Sequence, residues 1–175
     1  MLEIRKGTVE DLSIIRQLGI DTYYAHFKDN WENKKEINKF LEKDFSKESL
    51  EKSLQMHNVV WLIAYIENEA IGFAKVNFDR KLPNNATRGA ELQKIYFLPS
   101  STGKGYGDIL LNEAIKLSIH NNQGLLWLEV LKTNHQAKAF YEKKGFNVKT
   151  ETILKGVNGD MSLWVMIKDL QMTDY

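Results

Sequence analysis

Gly124 to Leu131, "GLLWLEVL", is short and nearly all apolar. A strand with one wet face alternates apolar and polar residues, whereas a short continuous apolar run suits a central strand covered on both faces. A chain containing such a strand must cover both sides of its sheet, and the rest of the sequence supplies helices to do so.

Leu2–Arg5 reads as a first strand, after which Thr8 and Asp11, three apart, resemble a capping box ahead of Leu12, Ile15 and Leu18 at near-helical spacing. "NKKEINKFLEKDF" and "SKESLEKSLQM" have the pattern of two short amphipathic helices, the second capped by Ser46. Val59–Ile66 and Ala70–Phe78 are β-rich runs joined by "ENEA", a hairpin pattern. "DRKLPNNATRG" reads as a polar loop, and Glu91–Leu98 as the next strand, ending at Pro99. A helix to about Asn121, the strand at 124–131, a helix over Asn134–Lys144 and a strand pair at Thr150–Leu154 and Met161–Lys168 complete the order β-α-α-α-β-β-β-α-β-α-β-β. Gly145 stands at the left-handed helix stop, with Phe146 placed to fold back on the last turn. At 175 residues without a long linker or internal repeat, the chain reads as one domain, 1–175.

Composition narrows the functional classes. A net charge of +1 implies no general affinity for nucleic acid or an anionic membrane. There is no cysteine, which removes disulfides, thiolate metal ligands and a thiol nucleophile. His26, His57, His120 and His135 have no metal-ligand spacing, so no metal is expected. "MLEIRKGTVEDLSII" lacks a signal-peptide core, and no apolar run reaches the ~18–20 residues of a membrane span. The expectation is a cytoplasmic protein, monomeric or homodimeric.

The stretch "PSSTGKGYGDILLNEAIKLS" places Gly103, Gly105 and Gly107 at alternate positions ahead of a helix. It is not a Walker loop, because Lys104 is followed by Gly105; it is not the dinucleotide fingerprint, because Leu110 stands three after Gly107. Unpaired amides at a helix N-terminus form an anion site, to which Lys104 adds a positive charge. The same glycines would also serve a turn that needs positive φ.

"LPSSTGKGYGDILL", followed by "NHQAKAFYEKKGF", resembles the GNAT superfamily of acetyl-coenzyme A-dependent N-acetyltransferases. In that family Q/R-x-x-G-x-G/A binds the pyrophosphate of coenzyme A, and N-x-x-A-x-x-F/L-Y-x-x-x-G-F carries an asparagine and a tyrosine that face the cofactor. The matching residues are Gly105 and Gly107, then Asn134, Ala137, Tyr141, Gly145 and Phe146. The N-terminal half, "EDLSIIRQLGIDTYYAHF" and "IGFAKVNFD", looks most like the PaiA-type spermidine/spermine acetyltransferases. The implied fold is α/β (α+β): a mixed, mostly antiparallel central sheet, splayed in the middle and flanked by helices on both faces. Thr102 departs from the pattern, standing where the family has Gln or Arg.

The resemblance implies acetyl-CoA as co-substrate, a small amine as partner, and direct attack of the amine on the thioester. The cofactor contacts it implies are Thr102, Gly103, Lys104, Gly105, Tyr106, Gly107 and Asp108, then Asn134, Ala137 and Tyr141. Ile95, Tyr96 and Phe97 join them through backbone N–H groups, which a family β-bulge opens as far as Leu98. A phenol of pKa near ~10 can protonate a departing thiolate of pKa near ~8.5, the role implied for Tyr141. Some family members place a base where Glu91 stands, at the start of its strand, with Glu129 as the alternative. Asn134 is also a natural N-cap.

The acceptor site is read from the aromatics and acids between Tyr23 and Phe45. Tyr24, Phe27 and Trp31, with Glu129, suit a polycation, although acids on a charged helix also serve as a solvated face. A small polyamine is the leading acceptor. The alternatives are a peptide, protein or aminoglycoside-type amine, or a non-catalytic acetyl-CoA-binding regulator. Retention of both Asn134 and Tyr141 speaks against the regulator.

Overall fold

The nearly all-apolar run at 125–131 forms an interior strand of a seven-stranded sheet, buried from Leu125 to Leu128 and at Val130 and exposed at Glu129. The computed structural model describes residues 1–27, 34–155 and 159–170. Its elements are β1 (Leu2–Lys6), α1 (Leu12–Phe27), α2 (Lys34–Phe45), α3 (Lys47–Gln55), β2 (Val59–Ile66), β3 (Glu69–Lys81) and β4 (Arg88–Phe97). There follow α4 (Tyr106–His120), β5 (Leu125–Leu131), α5 (His135–Lys143), β6 (Asn147–Leu154) and β7 (Met161–Asp169). Sheet order is β1-β2-β3-β4-β5-β7-β6, mixed and mostly antiparallel. Strand β4 pairs in parallel with β5 at two positions, Ala90 with Leu126 and Glu91 with Trp127.

The backbone sorts into two compact units, Met1–Val76 with Lys94–Ala114, and Asn77–Gln93 with Ile115–Tyr175. In the first, α1, α2 and α3 bring Ile15, Leu18, Ile37, Leu41, Phe45 and Leu50 onto Trp61, Ile63, Tyr65 and Phe73. Phe45, Trp61 and Phe73 form an aromatic triangle with centroids 5.8–6.2 Å apart. Truncating a ring in such a core costs ~3–5 kcal/mol. The opposite face of β2, Val60, Leu62 and Ala64, is buried as well. Thr8 N and Oγ1 both donate to the Asp11 carboxylate, at 2.8 and 3.1 Å, at the start of a 3-10 turn over Val9–Asp11 that leads into α1, and Ser46 Oγ accepts from Ser49 N as the expected cap of α3.

In the second unit, Leu82, Leu125, Trp127 and Val165 form one core cluster, with Ile167 packed against it. The segment "DRKLPNNATRG" is less of a loop than its polarity implies. Strand β3 runs on to Lys81, β4 starts at Arg88, and Leu82 N donates to Thr87 O at 2.9 Å. Arg88 Nε meets Asp79 Oδ1 at 2.8 Å, which ties the two strand ends together. Helix α5 ends as expected: Gly145 has φ 87°, its amide donates to Glu142 O, and Phe146 N donates to Tyr141 O, both at 3.0 Å. That double closure leaves Phe146 buried against the helix.

Candidate active site

The glycine stretch follows the end of β4 in the first unit. Leu98 and Pro99 start a single 3-10 turn over Pro99–Ser101, then the loop leads into α4. Gly103 and Gly105 have φ of 72° and 78°, the left-handed region where a side chain is strained. Gly107 differs: it is helical, its φ is ordinary, and a Cβ built on it meets no atom within 4 Å. Neither conformation nor packing asks for glycine there, at a cost of roughly 0.5–1 kcal/mol relative to alanine. Bare backbone in the first turn of a helix is the requirement of a ligand that lies on its amides.

Thr102 is exposed and its hydroxyl donates to Pro99 O at 2.9 Å. The Thr102 hydroxyl hydrogen therefore closes the turn. Lys104 is exposed, Asp108 lies in the first turn of α4, and Tyr106 packs on Phe97 with centroids 6.3 Å apart. Of the amides expected to be open between Ile95 and Leu98, that of Leu98 is already used by Ile71 O at 2.9 Å. His26 Nε2 donates to Phe97 O at 2.7 Å and so steadies the end of β4; since a carbonyl only accepts, this nitrogen carries the hydrogen.

Behind that strand lies a polar cluster that no sequence pattern announced. Lys94 is buried and meets Asp44 Oδ2 at 2.8 Å. Burial, with the Asp44 charge second, pushes the Tyr96 phenol up to about 12; burial likewise pushes Tyr23 up, with Tyr96 and Asp44 adding to it. Tyr23 stacks on Phe40 at 5.0 Å. Tyr24 donates to Asn38 Oδ1 and is tied to α2 by that bond. Trp31 lies outside the described residues, as does the side chain of Phe27.

In the second unit, Asn134 caps α5 through Oδ1, which accepts from Ala137 N at 3.1 Å. The cap leaves the Nδ2 amide as the group able to donate elsewhere. Ala137 is half-buried one turn into the helix, and Tyr141 is buried with its ring 5.5 Å from Phe146. The Glu91 side chain is 13% exposed, its Oε2 accepting from Asn77 Nδ2 at 3.0 Å and lying 3.4 Å from Arg80 Nε. Glu129 keeps solvent access, yet partial burial and then the Glu91 charge raise its carboxyl above the ordinary value. The ladder explains the pairing: Glu91 is in register with Trp127, and Glu129 lies two residues further along the same face of β5. Asn77 and Arg80 were not singled out from the sequence, because only the β3–β4 neighbourhood brings them to Glu91.

A profile of the Acetyltransferase (GNAT) family matches residues 20–146. The chain belongs to the GNAT family. It is an acetyltransferase with acetyl-CoA as co-substrate. The glycine loop fits that assignment, since Gly107 keeps clear a position that a Cβ would fill. Among curated relatives, an uncharacterized N-acetyltransferase from the pepI 3' region of Lactobacillus delbrueckii subsp. lactis is 26% identical, covering 85% of this chain and 83% of the relative. The PaiA N-acetyltransferase of Thermoplasma acidophilum, solved in complex with coenzyme A, is similar with a TM-score of 0.77 and 25% identity, over 97% of this chain and 99% of that one. The ribosomal-protein-S18-alanine N-acetyltransferase of Escherichia coli shares the fold, with a TM-score of 0.73 and 20% identity over 99% and 97%. No helix among the described residues of this GNAT protein is long and apolar enough to cross a membrane, and none of their His, Asp and Glu side chains group to hold a metal.

Proposed function

We propose that this GNAT acetyltransferase moves the acetyl group of acetyl-CoA onto a primary amine by direct attack, with a small polyamine such as spermidine as acceptor. The observation that carries the acceptor class is Glu91, a nearly buried carboxylate one strand from Glu129, whose own carboxyl is raised by partial burial and then by the Glu91 charge. Two acidic groups that repel one another are relieved by a cation, and a protonated amine is the cation this family acts on. The 25% identity to a PaiA protein supports the same acceptor class.

When bound, acetyl-CoA supplies the thioester that the amine attacks. The amides from Gly103 to Asp108, with Lys104, hold its pyrophosphate, and Thr102 adds no donor to that grip. The backbone N–H groups between Ile95 and Phe97 are the donors for the thioester oxygen. Asn134 donates through Nδ2. Glu91 takes the amine's proton through water, a task made demanding by an ammonium pKa near ~10. Tyr141 gives its phenol proton to the departing sulfur, and a well-placed acid of this kind contributes ~10²–10⁴-fold.

A thiol-release assay across spermidine, spermine, an alanine-terminated peptide, an aminoglycoside and free amino acids tests this reading. Polyamines should give the highest kcat/KM. Preference for the peptide or the aminoglycoside would overturn the acceptor class, and no thiol release from any amine would overturn the transfer.

A further inference from the structure

Lys94 is a charged side chain at a place where an apolar one would satisfy the packing. It is 9% exposed on β4, and its Nζ meets Asp44 Oδ2 on α2 at 2.8 Å. Phe45, the next residue of α2, presents its ring 5.4 Å from the same ammonium. Taking an ion pair out of water costs desolvation and the ordering of a long side chain, and well-packed apolar residues of similar volume often serve stability equally well or better. Nor does α2 need the pair to stay in place. Ile37, Leu41 and Phe45 are buried, Arg16 Nε of α1 donates to Phe45 O at 3.1 Å, and Tyr23 of α1 stacks on Phe40. What the pair adds is a link from the end of α2 to one point of β4.

That point adjoins the backbone assigned above to the thioester oxygen. Alternation along β4 places Lys94 and Tyr96 on one face, where the Tyr96 ring lies 6.1 Å from Tyr23 and 5.9 Å from Phe73. The Tyr96 phenol, pushed up to about 12 by burial and then by the Asp44 charge, stays neutral beside the pair. The other end of the segment is fixed too: His26 Nε2 donates to Phe97 O at 2.7 Å and Leu98 N to Ile71 O at 2.9 Å. Ile95, Tyr96 and Phe97 thus lie between two anchors, backbone hydrogen bonds at one end and the ion pair at the other. An apolar contact lets two elements slide, whereas a charge-assisted hydrogen bond holds a distance and a direction.

We propose that Lys94 and Asp44 are positioning residues for acetyl transfer: their ion pair sets the β4 segment 95–97 where its N–H groups hold the thioester oxygen in the transition state. The inference rests on the acetyl-transfer reading above and adds to it the side chains that aim its backbone donors. A displacement of about 1 Å at a reacting centre costs ~10²-fold in rate, so a small shift of the strand is enough. A pair kept for stability would lower the melting temperature when replaced and leave the rate of the folded protein intact. A positioning pair does the reverse.

The test measures single-turnover thiol release with spermidine, or whichever amine of the panel is transferred fastest, beside thermal unfolding and acetyl-CoA titration. Lys94→Met combined with Asp44→Leu replaces the pair by apolar residues of similar volume and leaves no charge buried alone. This double variant should melt at or above the wild-type temperature and bind acetyl-CoA within threefold of wild type, while its rate at saturating amine falls at least tenfold. A wild-type rate in the folded double variant would overturn the proposal. Asp44→Glu keeps the charge and lengthens its reach by one methylene. Its rate should fall at least threefold, and a wild-type rate there would overturn the proposal even if the double variant fails to fold. If the wild-type protein releases no thiol with any amine, the transfer reading itself fails; if it does, and both variants are as fast, the pair alone loses its role.

Discussion

The glycine loop and the surroundings of Glu91 are built on opposite principles. The loop works through backbone: Gly103 and Gly105 adopt positive φ, Gly107 keeps the first turn of α4 bare, and Thr102 closes its hydroxyl onto Pro99. Glu91 is held instead through side chains, by a hydrogen bond from Asn77 at 3.0 Å and an ion pair with Arg80 at 3.4 Å. Backbone sites tolerate almost any flanking side chain but no added Cβ, whereas side-chain sites depend on each functional group. Substitutions should therefore act differently in the two places.

The largest effects are expected at the two side chains proposed to move protons. Tyr141→Phe keeps the ring that packs on Phe146, so the variant should fold with acetyl-CoA affinity within twofold of wild type while kcat falls by about 10²-fold or more. Full activity would reduce Tyr141 to a packing residue. Glu91→Gln should lower kcat by ~10²-fold at neutral pH and recover in part as pH rises, because the amine then loses its proton unaided. A loss that is flat across pH would instead mark Glu91 as structural.

Glu129→Gln has the smallest effect and the clearest sign. The carboxyl of Glu129 is raised in the folded protein, so the native state holds its proton more tightly than the unfolded chain. Ionisation of Glu129 therefore subtracts from stability once pH rises through the folded value, and below the ordinary carboxylate range that penalty vanishes. The amide variant should melt slightly higher at pH 7, by ~1 °C for an exposed site, and equally at pH 3–4. A lower melting point at neutral pH would mean that the charge is held by a stabilising partner instead.

The same contrast separates what the sequence made legible from what it did not. The glycine loop, the Asn134 cap, the Gly145 stop and the apolar strand β5 are local features: a spacing, a φ requirement or a run of one residue class expresses each. The extent of β3 and β4 was less legible, because Asp79–Lys81 and Arg88–Gly89 are polar and become strand only through pairing and the Asp79–Arg88 tie. Asn77, fourteen residues from Glu91, and Lys94, fifty from Asp44, were invisible for the same reason. Their significance lies in partners that only the sheet and helix packing supplies. The hydrogen bond from the Tyr24 hydroxyl to Asn38 on α2 is likewise a product of helix packing.

The claim that bare backbone in the glycine loop holds acetyl-CoA is tested most directly by titrating the cofactor into Gly107→Ala beside the wild-type protein, with thermal unfolding of both free proteins. Since the added methyl meets nothing in the fold and alanine favours a helix, the free variant should be more stable by ~0.5–1 kcal/mol, a rise of about 1–4 °C. Its dissociation constant for acetyl-CoA should nevertheless rise at least tenfold. Equal affinity in the two proteins would contradict the account.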